Sequence, residues 1–214
     1  MPEITQEEID YASTGTFKFI IFGVLPLQWM GIGLGIASII HYVGDKEKFE
    51  SKIEMIVAYE MHWLYYSWTI FSYLVLYLNS YATLFKERIM REESGAVRSN
   101  MFIYKMAAPG QTQSRVVLVS DGFEGNYNRS NRSLYHFLEN VLSLAVAIPM
   151  TTVVYPIPTF VCTVIYFIAR LIYTTKYSLG GYGKHTPFYV IFTFTHFTVI
   201  GFVMLISIRS WTKL

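Results

Sequence analysis

The chain is short of charge. Only 15% of its 214 residues are Asp, Glu, Lys or Arg, where a soluble domain usually carries about 25%. It has one cysteine, Cys162, which excludes an intrachain disulfide and leaves the redox compartment open. No basic tract accompanies the net charge of +2, so nothing points to nucleic acid. No cleavable leader is expected: the opening "MPEITQEEIDYASTGT" is acidic, whereas signal peptides and organellar presequences begin positively charged. Neither an internal repeat nor a low-complexity tract is present.

What replaces charge is apolar surface. Hydrophobic residues make up 53% and aromatic ones 17% of the chain, with a mean hydropathy of +0.35. Several runs are long enough to cross a bilayer core of roughly 30 Å. Hydropathy places five spans, at residues 17–43, 61–85, 129–154, 156–177 and 188–208, which predicts an all-α integral membrane protein. The "YPIPTF" and "LGGYGKHTP" stretches supply the turns between the last three. The short stretch after residue 44 reads as a loop, and a polar turn with Glu54 and Glu60 leads into the second span. The one long connection, residues 86–128, opens with the charge cluster "KERIMREE" and contains a VVLV run suited to a short strand. Its Lys and Arg content directs it to the cytosol, or to the matrix of a mitochondrion. The two NRS triplets at Asn128 and Asn131 then lie on the wrong side for glycosylation and read as accidental.

Three smaller patterns have a packing and a chemical reading. "GIGLGI" (Gly31, Gly33, Gly35) resembles a nucleotide-binding loop, but no strand precedes it; Gly31 and Gly35 instead suit close helix contact. The second span, "WLYYSWTIFSYLVLY", reads as an interfacial belt with packing, or as a groove for a quinone or lipid. Histidines at 41, 62, 136, 185 and 196 allow a haem reading through paired imidazoles, or act as polar contacts between helices.

The third span is the informative one. At 100° per residue, Arg129, Arg132, His136, Glu139 and Ser143 fall in an arc of about 80°. Leu134, Phe137, Leu138, Val141 and Ala145 take the other side. An ionised group at mid-bilayer costs about 2.5–3.5 kcal/mol, so a seam of three demands a role. Arg132 and Glu139 are seven residues apart, about 10 Å along the axis, beyond direct pairing. The seam is either a structural chain bridged by His136 or a grip on a polar ligand. The fourth span adds Tyr166, Arg170, Tyr173 and Tyr177, one face of phenols and a guanidinium.

Those two faces resemble motifs of the MAPEG superfamily, the membrane-associated proteins of eicosanoid and glutathione metabolism. "RSLYHFLE" (Arg132, His136, Glu139) is similar to the family's R-x-x-x-N-x-x-E, and "RLIYTTKY" (Arg170, Tyr173, Tyr177) to its R-x-x-Y-x-x-x-Y. The resemblance covers residues 61–214 and implies a four-helix unit; residues 1–60, an acidic segment, an additional transmembrane helix and a connecting loop, have no counterpart in it. It also implies a homotrimer in which glutathione sits between subunits, at the edge of the bilayer, beside a lipophilic small molecule. By position, Arg132, His136, Glu139, Arg170, Tyr173 and Tyr177 would bind glutathione. Lys184, seven past Tyr177, would stand for the arginine that stabilises the thiolate, by charge but without the planar guanidinium fork. His136 replaces the family's asparagine, and Leu142 a proline that bends this helix in many members.

Two functions are expected from this. One is a glutathione-dependent transferase or peroxidase acting on a lipophilic substrate in the endoplasmic reticulum or the mitochondrial inner membrane. The other is a catalytically silent subunit that keeps the fold inside a larger membrane assembly, such as a respiratory-chain complex; fold does not fix function.

Overall fold

A computed structural model describes residues 15–90, 101–107, 110, 116–183 and 185–213, with side chains from residue 26 onward apart from 87, 88 and 90. Within these, the elements are helices α1 (Gly15–Val43), α2 (Lys46–Ala58) and α3 (His62–Met90), strands β1 (Tyr104–Met106) and β2 (Val116–Leu118), and helices α4 (Gly122–Thr152), α5 (Pro156–Gly180) and α6 (Thr186–Trp211). Prolines open α5 and α6 at the first helical turn, where the missing N–H costs nothing.

α4, α5 and α6 are long and apolar enough to cross a membrane, and the chain is a mostly helical membrane protein. The part of α1 from Pro26, taken together with α2, adds a fourth if that pair, bent by 116°, counts as one broken span. α3 is a helix over the second expected span but is not among those apolar enough. Its tyrosines, serines and Asn79 dilute an otherwise apolar helix.

The core lies between α3, α4 and α5. Phe71, Leu74, Leu78 and Ala82 recur on one face of α3 and meet Leu134, Phe137, Leu144 and Ile148 of α4, with Tyr166, Ala169 and Tyr173 of α5. α3 and α6 each pack on both members of the central α4–α5 pair. Between α4 and α5 the contact is small and polar: Ser133 Oγ lies 2.9 Å from Thr174 Oγ1, and Ser130, Asn131 and Ser178 are buried beside them. Apolar transfer gives helices in lipid no drive to associate, so close approach through small residues and interhelical hydrogen bonds replaces it.

The boundaries differ from the sequence reading in two places. The stretch expected as a loop after residue 44 is α2, begun by Asp45, whose carboxylate accepts from the Lys48 N–H. It buries none of its residues. And α4 begins at Gly122, seven residues before the expected start, because its first two turns are held by the hairpin rather than by lipid. The VVLV run does form a strand, paired antiparallel with β1 so that Lys105 faces Val117. Among the described residues the α1 glycines expected to pack closely meet no neighbour: a Cβ on Gly31 or Gly35 would find nothing within 4 Å.

Candidate functional site

The site starts with the polar N-terminal turns of α4. Asn128, fully buried, accepts from the Ile103 N–H at 2.8 Å. Its amide donates to the carbonyls of Ile103 and Val119, both at 2.8 Å. One side chain thereby ties both hairpin strands to the helix. Tyr127 adds a hydrogen bond from its hydroxyl to the Met101 carbonyl at 2.7 Å. Arg129 donates to the carbonyls of Ser120 and Ser178, joining the hairpin to α5. Gly125 lets the chain pass: a Cβ there would stand 2.2 Å from the Ser120 oxygen. Burial also closes both NRS triplets to any modifying enzyme, since Asn128 and Asn131 are each 0% exposed.

So anchored, the hairpin walls a groove along α4. A cavity of about 440 Å³ is lined by Arg132, His136 and Glu139 on one side and Phe102, Tyr104, Leu118 and Tyr135 on the other. Phe102 stands against Tyr135 with ring centres 5.5 Å apart. Arg132 and Glu139 are exposed and His136 half-buried. Among the described residues none of the three pairs with another, which removes the structural chain in which His136 bridges Arg132 to Glu139. The groove therefore presents a cation and an anion about 10 Å apart along the axis, with an imidazole between them. The hairpin wall was not read from the sequence as part of the site. Tyr135, flanking the seam on the helical wheel, was its only local signal.

Arg170 has the opposite setting. It is 0% exposed and faces no carboxylate among the described residues. Nη2 donates to the Ser133 carbonyl at 2.6 Å, and Nη1 lies 3.1 Å from His136 Nδ1. Its plane is packed against Phe192, Tyr173 and Phe137, with ring centres 4.6, 5.0 and 5.7 Å away. Nε has no partner. A guanidinium only donates, so His136 Nδ1 accepts and the neutral ring carries its proton on Nε2. His136 is thus the joint between the groove and the buried arginine.

Tyr173 and Tyr177, expected to reach the ligand, stack on each other at 5.6 Å and are buried. His185 covers both, 5.3 Å from Tyr173 and 4.8 Å from Tyr177, and Tyr182 lies against Tyr177. Neither tyrosine lines the groove. The expected set of six is therefore divided: Arg132, His136 and Glu139 share the groove, while Arg170, Tyr173 and Tyr177 form a cluster behind it, linked through His136. Lys184 lies outside the described residues. Of the other histidines, His41 pairs with Glu50 at 3.0 Å and His196 with Ser143 at 3.0 Å.

Fold and site together define a helical membrane protein with a hairpin-walled polar groove at one end of its apolar bundle. Comparison with known proteins adds nothing to that class: no family model, no curated protein and no solved structure matches the chain.

Proposed function

We propose that the chain is a MAPEG-like membrane protein whose groove holds glutathione. The observation that carries this is the geometry of Arg132 and Glu139: opposite charges, exposed, unpaired and about 10 Å apart in one cavity. An extended peptide with a carboxylate at one end and an ammonium at the other satisfies both. Arg132 offers a two-pronged donor for the carboxylate, Glu139 accepts from the ammonium, and the His136 imidazole meets the backbone between them. Phe102, Tyr104 and Leu118 wall the side on which a lipophilic electrophile enters, and the thiolate attacks it there, conjugating it or reducing a peroxide. Lys184 is the proposed source of positive charge for the thiolate. In a homotrimer, a neighbouring copy would close the open side of the groove. The membrane would be that of the endoplasmic reticulum or the mitochondrial inner membrane, with the hairpin on the cytosolic or matrix side. Calorimetric titration of the purified protein with reduced glutathione tests the proposal. Saturable binding that Arg132→Ala weakens at least tenfold supports it; no binding, or binding indifferent to that change, refutes it.

A second reading has its own observation. Tyr173 and Tyr177 are covered by His185 and excluded from the groove, and the described part of α1 together with α2 carries exposed Leu34, Ile36, Ile39, Ile40, Val43, Ile53 and Val57. A catalytically silent subunit would keep such tyrosines as packing and seat that surface on neighbouring proteins of a larger assembly. Native electrophoresis in mild detergent separates the two: migration solely as a small homotrimer removes the subunit reading.

A further inference from the structure

Behind the groove lies a second cavity, of about 150 Å³, between α4, α5 and α6. It is lined by His136, Asn140, Tyr166, Phe192, Thr193 and His196, with Tyr189 and Phe197 at its edge. We propose that it binds one six-membered ring bearing oxygen at opposite ends, the head of a hydroquinone-type lipid. The site shares His136 with the groove, but none of its other lining residues belongs to the glutathione reading.

Size comes first. A cavity of about 150 Å³ holds a single benzene-sized ring, and here the walls are themselves rings. Phe192 stands edge-on to Tyr166, with centres 5.9 Å apart, and His136 lies 5.9 Å from Phe192. Edge-to-face contacts of this kind favour an aromatic guest.

Polarity then selects the guest. With His136 Nδ1 taken by Arg170, its Nε2–H is the free donor at one end. At the other end, Ser143 spends its one proton on the Asn140 carbonyl at 2.9 Å. Its oxygen therefore accepts from His196 Nε2 at 3.0 Å, and His196 Nδ1 is left as a bare acceptor. His136 and Ser143, to which His196 is bound, lie about 10 Å apart along the axis of α4, so the two imidazoles approach the cavity from different levels. A ring about 2.8 Å across, with C–O bonds of ~1.2–1.4 Å and hydrogen bonds of about 2.8 Å beyond them, spans about 11 Å. One ring oxygen accepts from His136 while the opposite hydroxyl donates to His196. A quinone lacks that hydroxyl and satisfies only the His136 end. Ser143 on α4 and Phe197 on α6 are both exposed, so a hydrocarbon tail leaves between these helices into lipid.

The test titrates the full-length protein in mild detergent with three probes carrying the same decyl tail: 1,4-benzohydroquinone, 1,4-benzoquinone and plain benzene. The hydroquinone is expected to saturate one site per chain, the quinone to bind several-fold more weakly, and decylbenzene at least tenfold more weakly. His196→Phe, which keeps a ring but removes the acceptor, is expected to reduce hydroquinone affinity at least tenfold. Thr193→Phe, which fills the cavity, does the same without altering the groove, so glutathione titration of that variant stays as in the parent. Thermal melting checks that both variants are folded. Absence of saturable binding by the hydroquinone overturns the proposal, as do equal affinity for decylbenzene and wild-type affinity in either folded variant. Loss of glutathione binding alone leaves it standing and strikes only the groove reading.

Discussion

Two arginines on neighbouring helices show how differently one residue type is used. Arg132 on α4 is exposed at the lip of a groove and makes no hydrogen bond among the described residues. Arg170 on α5 is sealed in the bundle and held by a carbonyl, an imidazole and three aromatic faces, with Nε alone left unpartnered. Removing a charge from water costs several kcal/mol. Hydrogen bonds to a charged group offset about 1.5–3 kcal/mol each, and a desolvated cation–π contact about 2 kcal/mol. Arg170 meets that cost within its own chain, so its role is to fasten α5 to α4 and to set the His136 tautomer. Arg132 has kept its solvation and its free donors, as the proposed ligand site requires.

The contrast can be broken from either end. Arg170→Ala should have the largest effect, destabilising by about 3–5 kcal/mol through the cavity it leaves and the lost tie between α5 and α4; a steep fall in the thermal midpoint in detergent would show it. Gly125→Ala comes next, at about 2 kcal/mol, because the added Cβ collides with the Ser120 backbone and must push the hairpin off α4. Asn128→Ala should cost about 1–2 kcal/mol and act locally, with faster hydrogen exchange at residues 103, 105 and 117 as its signature. Arg132→Ala should change stability by no more than about 0.5 kcal/mol, while glutathione affinity falls about tenfold, near 1.4 kcal/mol. An Arg132→Ala variant that melted like Arg170→Ala would erase the distinction.

Periodicity revealed much of this in advance. The long apolar runs predict α1, α3, α4, α5 and α6, and the prolines before "IPTF" and "FYV" mark where the last two begin. The polar arc Arg132, His136, Glu139 predicts that these side chains share a face, and they line one cavity. What the wheel leaves open is which neighbour that face meets. Ser130, Asn131 and Ser133 fall in the expected span with no partner assigned, yet all are buried and Ser133 meets Thr174 of α5, because small polar residues pack closely in lipid. Tyr173 and Tyr177 share a face with Arg170, as their spacing requires. That face turns into the bundle, toward His185 and Phe192, for a reason held in the tertiary arrangement and not in α5 itself. α2 was hidden by composition: a charged 13-residue helix without a buried face is told from a loop only by its Asp45 cap. The hairpin's part in the groove is a long-range fact, carried by Asn128 reaching back 25 residues to Ile103.

The central claim is that ligand is held between the hairpin and α4. Hydrogen–deuterium exchange of the intact protein with and without saturating reduced glutathione tests it most directly. The account predicts slower exchange in residues 102–106 and 116–119 and around residues 132–139 of α4, with the turn at residues 181–183 unchanged. Protection confined to that turn and the Tyr173–Tyr177 cluster, or no protection anywhere, would contradict it.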